Sequence, residues 1–191
     1  MIPSIAEIKQ NLLGTFPFMR FDKRGLGYLV ISDEHFWKSF FAAVLCYPGA
    51  YFISTLQEPE IATTLDPFAV LLIDTLFYLV SWLIYPVFMH ALLVLHNKQD
   101  NYKLFIISFN WLQVWQIIFL VCLHTLTNSG LLTPTIIDIL GVLGMLYILG
   151  TQAYMTKVTI ETNWFSASAF VFFNILLAMS IYKLNAALIA S

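Results

Sequence analysis

The chain has 191 residues, 60% of them hydrophobic, with 9 basic and 11 acidic side chains and a formal net charge of −2. So few charges exclude a disordered chain, and the slight acidic excess gives no support to a nucleic-acid-binding surface. The apolar residues gather into five blocks, roughly 36–53, 67–95, 104–126, 134–155 and 164–182. Each meets or nearly meets the about 20 helical residues that cross a hydrocarbon core of about 30 Å. A β-barrel would need apolar and polar residues in alternation, whereas runs such as Phe68-Ala69-Val70-Leu71-Leu72-Ile73 are continuously apolar. The fold expected is all-α: a polytopic membrane protein whose residues 35–191 form a bundle of five transmembrane helices. Residues 1–34 precede it as a cytoplasmic segment carrying an amphipathic helix.

That segment opens on Ser4-Ile5-Ala6-Glu7, the Ser-x-x-Glu form of a capping box. From there Ile5, Ile8, Leu12 and Leu13 share one helical face until Gly14 ends the pattern. The helix either lies on the inner leaflet or docks on the bundle. Arg20, Lys23 and Arg24 favour the leaflet, since they would be drawn to anionic headgroups. Phe16, Phe18 and Phe21 interleave with these bases, a pattern that elsewhere stacks on nucleic-acid bases, but beside a membrane span it reads as an ordinary inner-interface signal. No apolar run before Phe36 resembles a signal-peptide core, so no segment is expected to be removed.

Span one has Ser32 or Asp33 as its cap, Trp37 as an interface anchor, a snorkelling Lys38, and Pro48-Gly49 to bend its second half. Span two starts on Asp66-Pro67, a cap followed by proline where a missing amide costs nothing, and carries Pro86. Span three is the most polar, with Asn110, Gln113 and Gln116, and His124 near its end. Span four repeats the start with Thr133-Pro134 and carries Asp138, Gly141, Gly144 and Gly150, whose size permits close helix approach. Span five opens near Asn163-Trp164 and includes Asn174 and Lys183.

Lys9, Arg20, Lys23, Arg24, Lys38, Lys98, Lys103 and Lys157 all fall on one side of this topology, and Lys183 alone on the other. The connection after span one carries Glu58, Glu60 and Asp66 but no base. Cytoplasmic enrichment in Lys and Arg therefore puts the N-terminus inside and the C-terminus outside.

No nucleophile triad, phosphate-cradling glycine loop or His-Glu-x-x-His motif is present, so no catalytic residue, metal ligand or cofactor is expected. His90 and His96 stand six apart, off the i, i+4 spacing that aligns two ligands, and read as interfacial; Cys46 and Cys122 read as packing residues. Asp74 is the sharpest residue. It lies about 12 Å inside span two, where a carboxyl group costs about 2.5–3.5 kcal/mol unless it faces the bundle and finds a partner. His124, Gln116 and Lys183 match its depth. The polar intramembrane candidates are thus Asp74, Asn110, Gln113, Gln116, His124, Asn174 and Lys183.

Phe36-Trp37-Lys38-Ser39-Phe40 followed by Pro48, Tyr85-Pro86, and Asn110-Trp111 make the chain resemble the bacterial five-span membrane proteins grouped with the Yip1 family. The eukaryotic members have a cytosolic N-terminal region ahead of five spans and act in membrane trafficking with small GTPases. This chain has Ile31-Ser32-Asp33-Glu34-His35 where they carry Asp-Leu-x-Gly-Pro, so the resemblance implies topology and not GTPase binding. Expected from all this is a non-enzymatic protein of the bacterial inner membrane that organises lipid or partner proteins, alone or as a homo-oligomer. The competing reading is a small transporter or permease subunit with a polar path through spans two, three and five. An intramembrane lipid enzyme would need an acid–base pair that the sequence does not cluster. Polar residues meeting at a cavity would favour transport; polar residues paired in a dry core would favour the organiser.

Overall fold

The computed structural model describes residues 2–57 and 64–190. Glu58 and Glu60, part of the base-free first connection, lie outside them. The described elements are α1 (Ile5–Thr15), two 3-10 turns (Phe16–Arg20 and Lys23–Tyr28), α2 (Asp33–Ser39), α3 (Phe41–Gln57), α4 (Pro67–Leu95), a third 3-10 turn (Gln99–Asn101), α5 (Tyr102–Thr127), α6 (Pro134–Ile160) and α7 (Trp164–Ile189). Among the described residues five helices are long and apolar enough to cross a membrane: α2 and α3 taken together over Asp33–Leu56, then α4 to α7. The bundle has a proximal end, where α2, α5 and α7 begin, and a distal end, where α4 and α6 begin.

Local signals set the helix boundaries. The Asp66 side chain accepts from the amides of Phe68 and Ala69 while Pro67 takes the first helical position. Ser32 caps α2 through the His35 amide, and Asn163 caps α7 through the Ser166 amide. Span one breaks at Phe40, which the sequence does not announce. There the Ser39 hydroxyl donates to the Phe36 carbonyl and the ladder tightens, Phe40 N donating to Trp37 O and Ala43 N to Phe40 O. Pro48 sits inside α3 without ending it. Spans four and five run on to Ile160 and Ile189, past the ends their apolar cores suggest.

α5 is the enclosed helix. More than half of its apolar window is buried, 56% against 6% for α4, because α3, α6, α2 and the N-terminal segment all pack on it. α6 also packs on α7, and α7 on α4. Gly144 faces α5, where an added Cβ would meet a Leu123 methyl and that side chain would have to shift. Gly150 lies against the Phe21 ring, whereas Gly141 has nothing beside it. Cys46 packs with Ala42, Ile107 and Trp111 as expected, but Cys122 is exposed, because the enclosure of α5 fades toward its distal half.

The capping box is made, with Ser4 N donating to Glu7 and Glu7 N to the Ser4 hydroxyl. The helix it starts docks on the bundle. The Trp115 indole donates to Leu12 O at 3.0 Å, Phe16 packs on Trp115 with ring centroids 4.8 Å apart, and the Tyr147 hydroxyl donates to Met19 O. Phe18 is fully buried and Phe21 fits between Tyr147 and Tyr154. The phenylalanines that read as interface residues are thus docking side chains in the α5–α6 groove. The apolar face of α1 is divided: Ile8 and Leu12 pack inward, while Ile5 and Leu13 are 86% and 51% exposed. α1 and the returning segment cross at Gly14 and Gly25, so closely that a Cβ on Gly25 would sit 2.0 Å from Gly14 O.

An ionic clasp ties α1 to α2. Lys38 Nζ lies 2.7 Å from Glu7 and 2.6 Å from Glu34. The hydrogen bond from Lys38, then those from Ser4, lower the Glu7 carboxyl from an ordinary 4.5 to about 2. A folded carboxyl that ionises more readily than the unfolded one stabilises fully above the unfolded value and loses its effect as pH falls toward the folded one. The clasp should therefore hold above about pH 4.5 and weaken toward pH 2. A spin label on Lys9→Cys, in a Cys122→Ser background, should gain mobility across that window. With Glu7→Gln it should already be mobile at pH 7. A label equally immobile at both pH values in the parent, or unaffected by Glu7→Gln, would contradict the clasp.

Candidate functional site

Five of the seven polar candidates divide into two groups, and His124 and Lys183 belong to neither. Asn110 and Gln116 face dry contacts. The Gln116 amide nitrogen donates to Thr151 Oγ1 at 2.9 Å, and its oxygen accepts from Gln152 Nε2 at 3.0 Å, so this fully enclosed cluster clamps α5 to α6. Asn110 Nδ2 donates to Ser39 Oγ at 2.9 Å, joining α5 to α2. Its oxygen, Ser108 Oγ and Trp111 Nε1 are buried with no hydrogen-bond partner among the described residues. Thr151 and Gln152, the partners of Gln116, escaped sequence reasoning because single threonines and glutamines in a span carry no pattern.

Asp74, Gln113 and Asn174 line cavities instead. A chamber of about 790 Å³ lies between the distal halves of α3, α4, α5 and α7, with Asp74 in its wall. A smaller cavity of about 150 Å³, lined by Gln113 and Asn174, adjoins it, the two sharing Ser81, Ala178 and Ile181. Neither Gln113 nor Asn174 has a hydrogen-bond partner among the described residues. Toward the proximal end the smaller cavity stops at a layer of packed rings, Tyr85, Phe105 and Phe109, with centroids 4.7–6.1 Å apart.

The wall is built by two facing stripes. On α4, Asp74, Tyr78, Ser81 and Tyr85 follow the i, i+4, i+7, i+11 spacing of one helical face, and on α7 Asn174, Ala178, Ile181 and Asn185 follow the same spacing. The helices run antiparallel, so Asp74 meets Asn185, whose Nδ2 donates to Asp74 Oδ1 at 2.8 Å. The opposite face of α4 presents exposed Leu72, Leu76, Leu79, Leu83 and Val87. Asp74 thus turns into the bundle, as its depth demands. Its partner is none of the three that depth suggested. Gln116 is committed to α6, Lys183 is exposed, and His124 lines neither cavity, its Nδ1 lying 2.9 Å from Leu120 O. The spacing of Asn185 from Asn174, three turns along one face, is the signal that would have found it.

Two tyrosines fasten the α3 side of the chamber. Tyr47 and Thr75 share a hydrogen bond of 2.7 Å between their hydroxyls, and the Tyr78 hydroxyl donates to Ala43 O at 2.7 Å. Their hydroxyls are spent on joining α3 to α4, so what they offer the chamber is ring surface. Asp74 is the one charged side chain among the described residues that line it. Among the described residues no group of three or more His, Cys, Asp or Glu could hold a metal ion, and His90 and His96 instead meet Tyr102 and Phe170 edge to face.

No protein-family model, curated protein or solved structure matches the chain.

The Gln116 cluster makes a prediction distinct from the chamber. Gln116→Leu strands the Gln152 amide in a dry contact, while the Thr151 hydroxyl keeps its bond to Ile148 O, and should cost about 1–3 kcal/mol. Adding Thr151→Val and Gln152→Leu removes the remaining polar groups and should recover most of that loss. Unfolding titrations of the purified protein in mixed micelles measure both, and a triple variant no more stable than Gln116→Leu would show that the cluster is not a closed network.

Proposed function

We propose that the protein is a small transporter or permease subunit, non-enzymatic, that receives its solute in the chamber between α3, α4, α5 and α7. The observation that carries this reading is the continuity of polar groups along adjoining cavities, from Asp74 and Asn185 through Ser81 to Gln113 and Asn174. Unpartnered amides beside a cavity cost free energy unless water or a solute satisfies them, and a solute-conducting protein gives them that use. The ring layer of Tyr85, Phe105 and Phe109 would act as the closed gate, with Pro86 beside it as a place where the α4 ladder already lacks a bond. The expected organiser of lipid or partner proteins is the second reading, favoured by exposed Ile5 and by partly exposed Leu13 and Phe16, which border one surface hollow with Arg20. The Yip1-like resemblance contributes only the order of spans.

In this reading the proximal end is cytoplasmic, because the basic residues gather there. α4 to α7 have 26 to 29 residues, about 39–44 Å of helix, so about 10 Å or more stands outside a 30 Å core. Protrusion on the cytoplasmic side would set the docked N-terminal segment at the headgroups. Reporter fusions after Gln57 and Ser129 should then read outside and one after Gln99 inside. The opposite pattern, or the same side for Gln57 and Gln99, would reverse or discard this topology.

Water access tests the chamber itself. In a Cys122→Ser background, Ser54→Cys, Ser81→Cys and Asn174→Cys should react with a small water-soluble methanethiosulfonate, while Thr151→Cys in the dry cluster and lipid-facing Leu76→Cys should not. Equal reactivity at Ser81, Asn174 and Thr151 would remove the transport reading.

A further inference from the structure

We propose that the chamber is a site for a lipophilic organic cation, an amine or quaternary onium carried on an apolar body. The inference rests on the chamber reading above and names its ligand class.

Three features of the wall point the same way. Asp74 brings the sole charge among the described lining residues, and no lysine, arginine or histidine is among them. The neighbouring polar group adds no charge: Asn185 donates its amide to Asp74 and leaves the carboxylate without a counter-charge. Five aromatic rings stand among the aliphatic and small residues of the rest of the wall. Tyr47, Tyr51, Phe77, Tyr78 and Tyr182 all line the chamber, and Tyr47 and Tyr78 meet edge to face at 5.1 Å with their hydroxyls already engaged. Aromatic faces carry negative potential, and several of them around a cavity recognise onium groups.

Charge complementarity then selects among ligands. An anion would bring a second negative charge beside Asp74 with no base to receive it. A neutral apolar molecule would leave the Asp74–Asn185 pair buried against hydrocarbon. A cation supplies what the amide of Asn185 cannot, a counter-charge, while its apolar body fills a volume of about 790 Å³, within the about 300–1,000 Å³ usual for small-molecule sites.

The test uses two ions of the same shape and opposite sign, tetraphenylphosphonium and tetraphenylborate, with the full-length protein in nanodiscs of neutral lipid and empty nanodiscs subtracted. Equilibrium dialysis should show saturable binding of tetraphenylphosphonium and none of tetraphenylborate. Asp74→Asn keeps the hydrogen-bonding shape and should weaken phosphonium binding at least tenfold. Asp74→Glu should restore most of it, showing that charge and not folding was lost. Binding of both ions alike, or of phosphonium undiminished in Asp74→Asn, overturns the cation assignment. The cysteine-labelling result separates the two failures. A water-accessible chamber that binds neither ion leaves the transport reading standing and removes this ligand class, whereas an inaccessible chamber removes the reading on which it rests.

Discussion

Polar groups on α5 must be hidden from hydrocarbon, and the rest of the molecule is arranged around that need. Ser108, Asn110, Trp111 and Gln116 lie along its proximal and middle turns, where lipid could satisfy none of them. α2 supplies Ser39, α6 supplies Thr151 and Gln152, and the N-terminal segment covers the remaining groove with Leu12, Phe16 and Phe18. Because these elements converge on one helix, the proximal half is dense. α4 is left at the margin, held mainly by α7.

That imbalance leaves space at the distal end. α4 shows a leucine stripe outward and a polar stripe inward, and α7 answers with a polar stripe of its own, yet small Ala178 and Ser81 stand where large side chains would have closed the gap. The chamber persists because α3 and α4 are joined by tyrosine hydroxyls at its rim, with rings spanning the space between them. A dry distal core of the same helices would need only larger residues on those two stripes. The sequence instead spends polar residues there, and each carries a desolvation cost that closer packing would have made prohibitive.

Much of this was legible in the sequence because its signals are local. The caps at Ser4, Ser32 and Asp66, the prolines that open spans two and four, and the length of span two depend on residues within a turn of each other, and the structure repeats them, although the Thr133 side chain expected to cap span four makes no capping bond. The inward turn of Asp74 was legible too, since the cost of exposing it exceeds any local preference. What stayed hidden depends on which helices are neighbours. Spans apolar nearly all round allow many rotations and orders, so periodicity alone could not tell that Gln116 would spend itself on α6 and leave Asp74 to Asn185. The same limit applied to Phe16, Phe18 and Phe21. An aromatic residue beside a basic one suits a headgroup layer and a protein groove equally, and only the presence of Trp115, Tyr147 and Tyr154 in that groove decides between them.

The choice of partner for Asp74 bears on what the chamber is for. A lysine at position 185 would have closed the site with an internal ion pair, and Lys183, two residues away, faces outward instead. Asparagine gives a hydrogen bond and no charge, so the pair holds its geometry while its electrostatic demand stays open. That open demand grows as an entering ligand displaces water, because a missing counter-charge matters more as the dielectric falls. A purely structural clamp would lose nothing by being neutral on both sides, as the Gln116–Thr151–Gln152 cluster is at the α5–α6 contact. The protein therefore contains both solutions to a polar group in a membrane: a neutral, self-satisfied one where helices are locked, and a charged, half-satisfied one where there is room for something to enter.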